Sequence, residues 1–69
     1  MSEETTFPKA AIVRLLKSTG IERVSGDAVI TLDKKLASIG ITWAKEANKL
    51  ATHAKRSTVR AEDIELASQ

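Results

Sequence analysis

Cysteine is missing from all 69 residues, so no disulfide can staple this chain, and one histidine without cysteine cannot build a metal site from a single copy. The N-terminus has neither the basic start nor the apolar run of a signal peptide. No apolar stretch approaches the ~20 residues that span a bilayer. These gaps lead us to expect a soluble cytoplasmic protein, or a nuclear one in a cell that has a nucleus. No nucleophile, base and oxyanion donors converge in the pattern, so neither an enzyme nor a cofactor or small-molecule substrate is expected. A core this small is marginal without some staple, and with disulfides and metals excluded, oligomerisation is the one that remains.

Charge is present, but unevenly placed. The formal net charge is only +2. All 11 Lys and Arg nevertheless lie between Lys9 and Arg60, against Glu22, Asp27, Asp33 and Glu46, while the other acids sit at the two ends. A basic middle is the footprint of a polyanion binder, although many proteins of similar pI share it.

Residues 1–7 are polar and without periodicity, and we expect them to fray ahead of a single domain, residues 8–69. Pro8 suits the first turn of a helix, where its missing N–H costs nothing, and Ile12, Leu15 and Leu16 then recur on one helical face. Gly20 ends that helix. The run Ile21-Glu22-Arg23-Val24 is too short for an element and reads as an ordered loop. Ser25 offers a hydroxyl to cap the next helix, and Asp27 complements its positive end.

From there Val29, Leu32, Leu36, Ile39, Trp43, Ala47, Leu50 and Ala54 step by three or four, and only Gly40 opposes a helix between Gly26 and Ala54. A rod of this length would be roughly 43 Å long. A compact monomer of this size would have a radius of gyration of only ~11 Å. Two short flanking helices cannot cover such a rod, whereas a second copy crossing it can. A polar, β-branched stretch, residues 55–60, forms a second loop. Glu62 and Asp63 open a last helix, with Ile64 and Ala67 on its inner face.

The layout of short helix, long helix and short helix joined by two basic loops carries specific strings: Arg14-Leu15-Leu16-Lys17, Gly20-Ile21-Glu22-Arg23-Val24-Ser25, His53-Ala54, and Arg56-Ser57-Thr58-Val59-Arg60-Ala61-Glu62-Asp63-Ile64. In these the chain resembles an archaeal histone from about Pro8 to Ala67. The resemblance implies an all-α histone fold forming a handshake dimer, in which the first loop of one copy lies beside the second loop of the other. It implies a chromatin protein, associated with the nucleoid, that binds and wraps double-stranded DNA with little sequence preference and assembles into larger nucleosome-like or continuous particles.

Residue by residue, the resemblance sends Arg23 into the minor groove, held by the hydroxyl of Thr58 from the partner copy. A guanidinium suits that groove, where negative potential is concentrated. Arg14 and Lys17 become phosphate contacts on the first helix, and Lys55, Ser57 and Arg60 join them at the second loop. Ser57 stands where the family commonly has Lys. Leu32, Leu36, Ile39, Trp43 and Ala47 form the dimer core, and Trp43 reads as packing rather than base stacking. Leu50, His53, Asp63 and Leu66 match a contact between dimers. Arg56 and Asp63 pair within one copy, clamping the second loop to the last helix. Gly20 falls where successive superhelical turns approach, although helix capping alone would explain it. Taken singly, each charged residue could also be an ordinary solvated side chain, and His53 ordinary packing.

Departures from the family are also legible. Val29, Ile41 and Thr42 stand where relatives often carry charge, Thr52 replaces a frequent Arg, and a basic C-terminal tail is missing, which together imply weaker DNA binding than a typical member. The dimer is expected to be a homodimer or a heterodimer with a paralogue, and a second reading is a histone-fold subunit that heterodimerises and scaffolds a transcription complex without wrapping DNA. A sequence-specific repressor is disfavoured, because no helix is rich in Asn, Gln and Arg.

Overall fold

The computed structural model describes residues 5–69 and holds three helices: α1 (Lys9–Lys17), α2 (Gly26–His53) and α3 (Ala61–Ala67). The protein is all-α, with a long central helix between two short ones. Two compact units divide it, Met1–Ala37 and Ser38–Gln69.

In the first unit α1 begins at Pro8, whose extended backbone (φ −57°, ψ 134°) turns into the helix and whose carbonyl accepts from the N–H groups of Ala11 and Ile12. No side chain caps this end, and no acid stands in its first turn. The missing negative charge comes from α2. The Thr6 and Phe7 N–H groups donate to Asp33 Oδ2 and Oδ1 at 2.9 and 2.8 Å, and Asp33 is only 2% exposed. Thr6 and Phe7, expected to fray with the rest of 1–7, are therefore held; the first four residues of that segment lie outside the described residues. Both carboxylate oxygens are bonded, which is what makes a buried acid tolerable.

The α1 C-terminus closes in a turn where Thr19 and Gly20 donate to the carbonyls of Leu16 and Lys17. Gly20 has φ +96° with open space where a Cβ would lie, so backbone conformation, not crowding, requires glycine there. Ser25 caps α2 as its sequence suggests: the Ala28 N–H donates to its Oγ at 3.1 Å. Ile12 and Val29 are the buried apolar residues of this unit, and Leu32 and Leu36 are half-buried.

In the second unit α2 ends one residue earlier than its apolar stripe suggests. Ala47 and Ala51 are buried. Beyond His53 the Lys55 N–H donates to the Thr52 carbonyl and the Arg56 N–H to the Ala51 carbonyl, both at 2.9 Å, the paired closure of a Schellman motif. The residue after the cap in such a motif is usually glycine; here it is Lys55, at φ 60°.

The second loop and α3 are joined by Arg56 and Asp63. The Arg56 guanidinium donates to Asp63 Oδ2 and Oδ1 at 3.0 and 2.9 Å and also to the Thr58 carbonyl at 3.0 Å. Asp63 further accepts from the Arg60 N–H at 2.8 Å, one of the donors that the start of α3 would otherwise leave unpaired. A neighbouring pair, Arg60 with Glu62 at 4.0 Å, is well exposed and adds little.

The apolar stripe of α2 does not close over itself. Trp43 is 39% exposed and Ile39 46%. Ala47, which the spacing assigns to the same seam, is already buried in a single copy. Among the described residues no large side chain is fully buried.

Candidate nucleic-acid interface

Exposed cations stand on α1 and on both connecting loops. In the first unit Arg14 and Lys17 occupy the last turn of α1, which favours positive charge at its carbonyl end. Arg23 stands in the loop between α1 and α2. All three are exposed, and among the described residues none is paired with a carboxylate. They present positive charge to solvent without spending it inside the chain.

In the second unit Lys55, Ser57, Thr58 and Arg60 are exposed along the loop between α2 and α3. That loop is rigid by construction: the Schellman turn fixes its start, and Arg56 bridges the Thr58 carbonyl and the Asp63 carboxylate across its middle. Arg56 is thereby occupied, while its neighbours face outward. Hydroxyl, ammonium and guanidinium donors on one short, fixed loop can bond phosphate oxygens without first being ordered.

The Arg56–Asp63 pair also sets the local electrostatics. Two hydrogen bonds from Arg56, followed by the one from the Arg60 N–H, hold the Asp63 carboxyl at about 2, below its ordinary 3.8. The same contact raises Arg56 above its ordinary value. Each group is thus more firmly ionised by the other.

The resemblance also assigns Asp63 to a contact between dimers, with Leu50, His53 and Leu66. The structure gives these four different surroundings. Leu66 is 55% exposed, His53 is exposed and Leu50 half-buried, so these three offer surface. Asp63 is 2% exposed with both oxygens engaged by Arg56 and the Arg60 N–H of the second loop. Gly20 is exposed, and its positive φ already accounts for it. Arg23 and Thr58 belong to different units.

Two features are not evident in the sequence pattern. Asp33 enters it only as a charge, yet it lies four residues after Val29 and three before Leu36, on the apolar stripe; an acid on that stripe is the signal of a buried partner. Lys55 enters only as a cation, and its left-handed backbone has no signature in a single sequence other than its place just after the last periodic residue.

Residues 5–67 match the family described as histone-like transcription factor (CBF/NF-Y) and archaeal histone. The chain is 47% identical over 61 residues to one of the subunits of the archaeal histone HAN1 from Thermococcus zilligii, covering 88% of this chain and 91% of that one. It is 42% identical over 61 residues, with the same coverage, to the probable archaeal histone 3 of Methanocaldococcus jannaschii. Three helices with a long middle one, exposed cations on both connecting loops and these likenesses along nearly the whole length lead to one assignment: the chain belongs to the histone-fold family of archaeal histones and histone-like CBF/NF-Y factors, a non-enzymatic family.

Proposed function

We propose that the protein is an architectural chromatin protein that binds double-stranded DNA through its phosphate backbone, as a homodimer, and wraps it by adding further dimers. The observation that carries this reading is the exposed donors of the two loops, with Arg23 on the first and Lys55, Thr58 and Arg60 on the second, whose backbone is already fixed. Phosphate contacts made this way release counterions and carry no sequence information, so affinity falls steeply with salt and little with sequence. Arginines entering the minor groove as it faces inward is the mechanism of the histone octamer, and Arg23 takes that part here by likeness.

The uncovered stripe supports pairing. Leu32, Leu36, Ile39 and Trp43 of two copies would cover one another, and crossing the long helices would bring Arg23 of one copy beside Thr58 of the other. Ala47 packs inward in each copy and contributes less to that seam than its spacing suggests. Leu50, His53 and Leu66 form the surface on which a second dimer would rest, with Asp63 fixing α3 beneath them. On DNA the protein is expected in the nucleoid.

The test is binding of the full chain to several unrelated duplexes. Arg23→Ala should weaken all of them by a similar factor and lower the slope of log K against log salt by ~0.9 for each phosphate no longer neutralised. An effect confined to one sequence would argue for base readout and against this reading. Nuclease digestion of reconstituted complexes then counts dimers through the protected lengths.

A second reading has one observation in its favour: the family description includes transcription factors, and one relative is named as part of a multi-subunit histone. A heterodimerising scaffold of that kind would leave duplex DNA unprotected in the same digestion.

A further inference from the structure

Helix α1 is poorly equipped to hold its own direction. Nine residues are too few for an independent helix in water, and only Ile12 among them is buried. Its N-terminal end lacks a side-chain cap and a first-turn acid, and carries a cation, Lys9, where the helix dipole is already positive. Its C-terminal end is released through the Gly20 turn. Among the described residues, what fixes the chain ahead of it is the latch from α2, the Asp33 carboxylate bonded to two successive N–H groups at 2.9 and 2.8 Å.

We propose that Asp33 is a positioning residue for DNA binding: by tying Thr6 and Phe7 to α2 it fixes where α1 starts, and so the direction in which Arg14 and Lys17 are presented to phosphates. The proposal rests on the DNA-binding reading above and extends it to a residue that touches no DNA. Two features make the latch suited to this. Both oxygens are used, so the segment can neither slide nor rotate about a single bond. The acid is also buried, so solvent does not compete for it.

The latch and simple electrostatics make opposite predictions. Removing a carboxylate from a protein that binds a polyanion raises its net charge and, by long-range attraction alone, tightens binding. Opening the latch weakens it, because Arg14 and Lys17 no longer reach phosphates together.

The experiment compares the full chain with Asp33→Ala and Asp33→Asn on a mixed-sequence duplex across a salt series, at a temperature where circular dichroism shows each one folded. Asp33→Ala should bind several-fold more weakly, with a slope against log salt reduced by ~0.9 for every phosphate that Arg14 or Lys17 fails to reach. Asp33→Asn, which keeps one acceptor oxygen, should fall between the two. Amide exchange at Thr6 and Phe7 should quicken in the same order. Equal or tighter binding by both variants with an unchanged slope would overturn the proposal and leave Asp33 a stabilising residue only. If Asp33→Ala does not fold, Asp33→Asn decides alone by the same criterion. Failure of the unsubstituted chain to bind duplex DNA is a separate result, which removes the proposed function itself.

Discussion

Lys55 is the only non-glycine with positive φ among the described residues. An L-residue in the left-handed region costs roughly 1–2 kcal/mol. A cation at the end of a helix returns about 0.3–1 kcal/mol, which does not offset the larger cost. Lys55→Gly is therefore expected to raise the urea midpoint while lowering DNA affinity, with a salt slope smaller by ~0.9 for each chain that contacts a phosphate there. Chemical denaturation and a binding titration on the same samples check both halves. Asp63 supplies a pH test. Its folded-state value of about 2 lies below the ordinary 3.8, so its contribution to stability is complete above about pH 4 and is lost as pH falls toward 2. The gap in urea midpoint between the unsubstituted chain and Asp63→Asn should be widest near neutrality, shrink below about pH 4 and close only as pH falls through about 2; a constant gap would mean that the ionised pair is not its source. The Arg56–Asp63 pair is legible because both residues sit in a recognisable string. Asp33 is legible only in part: its place on the apolar stripe signals burial, but its partners are backbone N–H groups 26 and 27 positions away, which no side-chain pattern encodes.

At the scale of elements all three helices are legible in the sequence, because apolar spacing and capping residues are local properties. Ser25 and Gly20 act where their residue types lead one to expect. The second boundary of α2 differs by one residue: the stripe continues to Ala54, but the Schellman closure at Lys55 takes the chain out of the helix after His53. Burial is less legible than helicity. Periodicity identifies a face but not what covers it, so Ala47 and Trp43 look alike in the sequence and differ in the structure, one fully buried in a single copy and the other open. Helix α3 shows how a short element is made firm: its seven residues are tied through Asp63 to both Arg56 and the Arg60 N–H. If the exposed surface of Leu50, His53 and Leu66 joins dimers, Leu50→Glu should leave short protected DNA lengths intact and abolish the longer ones. Unchanged nuclease ladders would remove that role.

At the scale of the whole molecule, one copy holds little core. Among the described residues its buried apolar side chains are Ile12, Val29, Ala47 and Ala51, two of them alanines, which is thin for a chain that must offset the conformational entropy of its own ordering. Pairing should therefore be inseparable from folding. The melting temperature should rise with protein concentration, and sedimentation at micromolar concentration should find no stably folded single chain. A concentration-independent melt of a monomer would sink the dimer and the DNA grip built on it. The exposed indole of Trp43 turns this into something visible. Being the chain's one tryptophan and standing on the uncovered stripe, it gives the protein a built-in optical gauge, whose emission should move to longer wavelength on dilution as water reaches the ring.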